Sequence, residues 1–189
     1  MNIINNNTNK NNTIILDSKY QTKKWRLNQK WYINGKKNEC EKYQLQLLYQ
    51  ITNYICNKTY MRFNIDDLSF NDIKYPNILQ NGYEYTENLD VYQFIKNKKL
   101  YYNLKFICDK GGSQTRSLRE VYHFIIYQLN YLLYNKDTIF INILDGDESN
   151  RNIEKYYYLI KKNKYKDVQN NVFVGDMFKF QKWFISFNK

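Results

Sequence analysis

Apolar and polar positions alternate along the chain with two different periods, and the changes of period mark its elements. Between Glu39 and Asn57 the apolar residues Tyr43, Leu45, Leu47, Leu48, Ile51, Tyr54 and Ile55 recur mostly at three- and four-residue intervals, which predicts an amphipathic helix. Glu41, near its start, complements the helix dipole. Thr59–Gly82 is polar and irregular; Tyr60–Phe63 predicts a short strand, with turns around Asn71-Asp72 and near Pro76. Tyr83–Glu87 reads as a further strand or as the lead-in to the next one. Two aromatic-rich runs, Leu89–Ile95 and Leu100–Cys108, then flank the polar Lys96-Asn97-Lys98-Lys99, the pattern of a β-hairpin. Asp90 falls early on its first strand. On the second, Asn103 and Lys105 share one face while Leu104 and Phe106 take the other. A carboxylate, an amide and an ammonium are thereby set against one another.

Beyond the hairpin, Gly111-Gly112 offers a permissive backbone for a tight strand exit. A long helix follows, started either by Ser113 or by the capping box Ser117-Leu118-Arg119-Glu120. Its stripe of Leu118, Val121, Tyr122, Ile125, Leu129, Leu132 and Leu133 faces a core. Gln114, Arg116 and Arg119 lie near its start, where backbone N–H groups and side-chain charge favour an anion. Asp137–Leu144 reads as a buried strand. The acidic Asp145-Gly146-Asp147-Glu148 after it fits a polar turn better than a cation site. A helix at Asn152–Lys162, a strand at Asn171–Gly175 and a helical or extended Met177–Phe187 complete the order, with Phe178, Phe180, Trp183 and Phe184 pointing inward. Helices and strands in this succession predict an α/β sandwich. Residues 13–189 form one domain, and the Asn-rich residues 1–12 are expected to be disordered. Within Thr13–Asn38 the aromatic residues Tyr20, Trp25, Trp31 and Tyr32 read as cover for a core edge.

Charge narrows the class of partner. The 29 Lys and Arg outnumber 18 Asp and Glu, a net +11 that favours a polyanion, nucleic acid ahead of anionic membrane. Part of that excess is compositional, because a chain with no alanine, one proline and abundant Asn, Lys, Ile and Tyr reflects an AT-rich genome. Three scattered cysteines, Cys40, Cys56 and Cys108, fit a reducing compartment. The single histidine argues against zinc cores and a Ser-His-Asp triad, and His123, inside an apolar helical run, reads as structural. No run reaches the ~18 apolar residues of a membrane span, and no secretory signal opens the chain. A soluble, intracellular protein is expected.

Asp90, Asn103-Leu104-Lys105, the helix before the hairpin, the Gly-Gly exit into a helix and the strand after it together resemble the core of the PD-(D/E)XK nuclease superfamily. The run YYNLKFICDKGGSQTRSLREVYHFI, Tyr101–Ile125, is its most specific part and is most similar to type II restriction endonucleases. The resemblance, which covers Glu39 to the C-terminus, implies a restriction-endonuclease-like core: a central mixed β-sheet whose hairpin carries the active site, flanked by helices. It implies a magnesium-dependent endonuclease hydrolysing double-stranded DNA, with a homodimer where the site is palindromic. Asp90 then holds Mg²⁺, Lys105 serves the attacking water or the transition state, and Gln114, Arg116 and Arg119 contact DNA. Asn103 departs from the family pattern, which has Glu or Asp there; its carbonyl can still ligate a hard cation, but without charge. Glu87, Glu84 or Asp109 would have to supply the missing acid, and on charge alone Asn103→Asp should tighten Mg²⁺ binding. The same departure supports a second reading, a weakened or inactive nuclease-fold protein that binds nucleic acid.

Overall fold

In the computed structural model, which describes residues 15–19, 22–33, 39–76 and 82–189, the sheet is built outward from one long strand. The expected disorder of residues 1–12 and the placement of Tyr20 lie outside the described residues, and the turn expected near Pro76 runs into residues that are also outside them. In chain order the elements are α1 (Thr22–Leu27), α2 (Lys30–Ile33), α3 (Glu39–Thr52), β1 (Asn57–Lys58), β2 (Met61–Phe63), β3 (Phe70–Asp72), β4 (Val91–Ile95) and β5 (Lys98–Phe106). They continue as α4 (Gly112–Leu132), β6 (Thr138–Asp145), α5 (Asp147–Arg151), α6 (Ile153–Ile160), β7 (Val172–Gly175) and α7 (Met177–Asn188). The main sheet has five strands in the order β1-β4-β5-β6-β7. β5 pairs antiparallel with β4 and parallel with β6, so the sheet is mixed and changes sense at β5.

Two apolar layers follow from the strict alternation along these strands. Val91, Leu100, Tyr102, Leu104, Ile141 and Ile143 face α3 and α7, whereas Tyr101, Phe140, Leu144, Val172 and Val174 face α4 and α6. β6 is buried along nearly its whole length, as expected of a central strand with a parallel neighbour on each side. The protein is therefore α/β, a mixed five-stranded sheet flanked by helices.

Several elements depart from their expected bounds for local reasons. Asn53 adopts a left-handed conformation (φ 59) and ends α3, which leaves Tyr54 and Ile55 exposed. Asn71-Asp72 is no turn: both lie in β3, paired with Arg62 and Met61, because Phe70 stacks on Phe63 at 4.6 Å. The reversal lies earlier, where the Asn64 side chain accepts the N–H groups of Asp66 and Asp67. Tyr83–Glu87 is lead-in, held to the end of β2 by the Asn64–Tyr85 bridge and by the Thr86 N–H donated to the Phe63 carbonyl. In the hairpin only Lys96 and Asn97 form the turn, both with positive φ, so Lys98 and Lys99 belong to β5.

Neither serine caps α4. It begins at Gly112 after Gly111, with Ser113 and Ser117 both inside it, and Leu133 at its other end is exposed. Gly111 is in an extended conformation open to any residue, and a side chain at Gly111 or Gly112 would meet no neighbour. The glycine the fold does require is Gly146. Its φ is +111, and a Cβ there would stand 2.1 Å from the Ile107 carbonyl oxygen, which accepts the N–H groups of Glu148 and Ser149. α7 is helical rather than extended, capped by the Asp176 side chain. Phe180 and Phe184 are buried and Trp183 packs beside them, but Phe178 stays outside the core with the Lys182 ammonium 4.2 Å above its ring. Gly146→Ala is expected to cost ~3 kcal/mol or more, since strain and a backbone clash add. Gly111→Ala should stay within about 0.5 kcal/mol. Urea unfolding of the two variants checks the contrast.

Candidate functional site

The face of β5 that turns toward α4 is apolar at Tyr101 and becomes polar at Asn103 and Lys105. Beside Asn103 the central strand carries Asn142, fully buried in an otherwise hydrophobic run and in register with it. A buried amide must find partners, and Asn142 finds four bonds. Its NH₂ donates to Gln128 Oε1 on α4 (2.8 Å) and to the Phe173 carbonyl on β7 (3.3 Å). Its Oδ1 accepts from Gln128 Nε2 (3.1 Å) and from Asn103 Nδ2 (3.1 Å).

Lys105 and Asn103 form the floor of a cleft of about 250 Å³ between α4 and the lead-in to β4, lined also by Ile65, Thr86, Glu87 and by Glu120, His123 and Tyr127 of α4. The Lys105 ammonium is paired to Glu87 at 2.9 Å. Burial works against its charge, but Glu87, Asp90 and Glu120 together outweigh that cost and hold its pKa above the ordinary lysine value. It is therefore an ammonium at neutral pH, fit to offset negative charge and unfit to act as a base.

Asp90 stands beside this cleft, at the entry to β4. Its carboxylate accepts the Leu104 N–H at 2.7 Å, between Asn103 and Lys105 in sequence, so a side chain takes up an N–H of β5. Burial raises its pKa to about 6; the Leu104 N–H and Lys105 pull it down, while Glu41 and Glu87 push it up. Asp90 thus feels both Glu41 and Glu87, and Glu120 acts from α4 on Lys105.

The structure brings Asp90, Asn103, Lys105 and Glu87 together and leaves other candidates apart. Among the described residues, Glu84 holds one buried carboxylate oxygen without a partner and shows no interaction with Asp90 or Lys105. Asp109 is committed to Lys23 and to Arg26, the latter at 2.8 Å. Gln114 accepts the Asp109 N–H and so ties the exit of β5 to α4. Arg116 and Arg119 are exposed and, among the described residues, form no ion pair. Arg119 lines a separate groove between α4 and α6, with Tyr122, Lys155 and Tyr158. The acids after β6 disperse: Asp145 is buried against Gln44 and the Met177 N–H, Asp147 holds Thr22 and the Lys23 N–H, and Glu148 pairs with Arg151. His123, expected to be structural within an apolar run, is exposed and lines the cleft.

Glu41, Glu120 and His123 read in the sequence only as parts of helices, and Asn142 only as part of a buried strand. Their proximity to Asp90 and Lys105 arises from three separate elements. In kind, the carboxylates of Asp90 and Glu87 and the Asn103 carbonyl suit a hard divalent cation, while the pKa of Asp90 is raised chiefly by burial, with Glu41 and Glu87 adding to it. They do not form a preassembled cage: among the described residues no three His, Cys, Asp or Glu are grouped closely enough to hold a metal ion. Nor is any described helix long and apolar enough to cross a membrane.

The Asp90 shift has a consequence for stability. Its folded pKa of about 6 lies above the ordinary 3.8, so the native state binds this proton more tightly. The resulting stabilisation is complete below pH 3.8 and lost as pH rises through about 6. Asp90→Asn removes this dependence. Relative to the parent, its unfolding free energy should improve by on the order of 2 kcal/mol between about pH 4 and pH 8. Urea melts at the two pH values measure it, and an unchanged difference would rule out a perturbed acid at this position. Comparison with known proteins leaves the site to be read from its chemistry, since no family model, no curated protein and no solved structure matches the chain.

Proposed function

We propose that the protein is a magnesium-dependent endonuclease that hydrolyses DNA phosphodiester bonds, with a restriction-endonuclease-like core of the PD-(D/E)XK kind. One observation carries the reading. An acid with a raised pKa, at the entry to β4, and a lysine held as an ammonium, on the neighbouring β5, interact at one end of a mixed sheet, beside an open cleft. Asp90, with Glu87 and the Asn103 carbonyl, would hold the cation, which when bound polarises the phosphate and acidifies a bound water. Lys105 supplies positive charge where the phosphate accumulates negative charge, in a site whose burial strengthens that attraction. Glu87 holds the ammonium in place until substrate arrives. The net charge of +11 favours the DNA backbone, with Arg116 and Arg119 exposed in the first half of α4, past its first turn, and free to reach phosphates or base edges. A palindromic site would call for a two-fold homodimer.

The neutral Asn103 and the lack of a preassembled acid cage among the described residues favour a second reading, in which the same cleft and surface bind nucleic acid without cutting it. Mixed-sequence plasmid incubated with and without Mg²⁺ separates the two. Discrete fragments are expected only with the metal, and Asp90→Ala and Lys105→Ala should each lower the rate about 100-fold or more. Metal-independent cleavage, or cleavage undiminished in Asp90→Ala, would overturn the assignment; tight binding with no cleavage would favour the second reading. For binding, Arg116→Glu with Arg119→Glu should weaken duplex affinity and flatten its log–log dependence on salt by about two. An unchanged slope in a salt titration would show that this end of α4 does not face the backbone.

A further inference from the structure

Asn103 is 2% exposed, yet its carbonyl oxygen has no hydrogen-bond partner among the described residues and is not sealed from solvent. Such a group in a cleft wall is a ligand position, provided that the oxygen and not the NH₂ faces the cleft. The amide network decides which. Asn142 and Gln128 bind each other head to tail, and that pairing alone would survive if both amides were reversed. The Phe173 carbonyl breaks the symmetry, because an oxygen can only accept: the Asn142 NH₂ must face β7. Asn142 Oδ1 must then face β5, and with both its lone pairs taken it demands a donor from position 103. Asn103 meets the demand with Nδ2 and is left with its oxygen directed away from Asn142.

We infer that the buried Gln128–Asn142 pair is a positioning device that turns the Asn103 carbonyl into the cleft as a neutral oxygen ligand for a hard divalent cation. The inference rests on reading the cleft as a cation site. It also explains the departure from an acidic residue: an ionised carboxylate at position 103 has no hydrogen to give, and it would stand oxygen to oxygen against Asn142 Oδ1. Adding charge there spoils the orientation that makes the residue a ligand, so the expectation from charge alone, tighter binding in Asn103→Asp, reverses. Replacing Asn142 by the near-isosteric Leu removes the opposing acceptor, and the added charge becomes an advantage.

The test is a double-mutant cycle read by calorimetric titration of Mn²⁺, a spectroscopically useful substitute for Mg²⁺, at about pH 8. In the parent, Asn103→Asp should bind no more tightly than the unaltered protein. In the Asn142→Leu background, the same substitution should tighten binding about tenfold or more. Equal effects in the two backgrounds, or a tenfold gain from Asn103→Asp alone, would overturn the inference, as would a parent protein that does not bind Mn²⁺. Because Asn142→Leu strands the Gln128 amide and could impair folding, a second measurement needs no variant. Side-chain amide NMR of the unaltered protein should show a contact between the Asn103 and Gln128 NH₂ protons, both aimed at one oxygen, and its absence also overturns the inference. Plasmid cleavage is scored separately: a reversal of sign in Mn²⁺ binding without cleavage removes the nuclease reading and leaves the positioning device standing.

Discussion

β5 is hydrogen-bonded along both edges, antiparallel to β4 and parallel to β6, and the candidate site depends on that double pairing. The antiparallel side brings the entry of β4, with Asp90, to the end of β5 that carries Lys105. The parallel side sets Asn142 in register with Asn103 and requires a crossover, which α4 provides. Because α4 must return across the sheet to reach β6, it passes over the face of β5 that bears Asn103 and Lys105. It therefore closes one wall of the cleft with Glu120, His123 and Tyr127.

The opposite side of the same sheet end is occupied. Gln44 of α3 donates to both the Lys105 carbonyl and the Asp145 carboxylate, joining the ends of β5 and β6. The segment before α1 lies over the ends of β6 and β7: Ser18 gives its N–H to Asp176 and accepts that of Gly146. Trp25 then packs on Tyr43 and Phe106. The carboxyl ends of parallel strands are the usual ligand side of an open α/β sheet. Here the chain covers that edge on the α3 side with its own N-terminal segment and leaves it open on the α4 side.

A cleft built this way is electrostatically costly. Burial disfavours the charges of Asp90 and Lys105, and neighbouring acids oppose Asp90 further, so the native fold carries ionised groups that a structural core would avoid. The buried Asp145 differs. Its pKa also rises, to about 7, but its carboxylate accepts from Gln44 of α3 and from the Met177 N–H of α7, which marks it as a structural link between these helices and β6. An acid that stays near an open cleft and a lysine ringed by carboxylates mark a place where a ligand completes the balance.

How much of this was legible in the sequence depends on the range of the interaction. Periodicity in the run from Glu39 and the stripe from Leu118 to Leu132 identified α3 and α4, because burial of one face repeats every three or four residues whatever lies opposite. Alternation along β5 placed Asn103 and Lys105 on one face for the same local reason, and two aromatic-rich runs around a short polar connection identified the hairpin. The errors fell where a single contact overrides local preference: Phe63 stacking on Phe70 draws Asn71-Asp72 into a strand, and the open surroundings of Gly111 and Gly112 show no steric need for glycine. Only tertiary structure could join Glu41, Glu120 and His123 to the site and choose Glu87 over Glu84 and Asp109, since their elements meet through packing and crossover rather than through spacing. The orientation of the Asn103 amide is set at the greatest remove, by a carbonyl on β7 acting through Asn142. No residue pattern encodes that link, because it exists only when three strands and a helix have been brought into register.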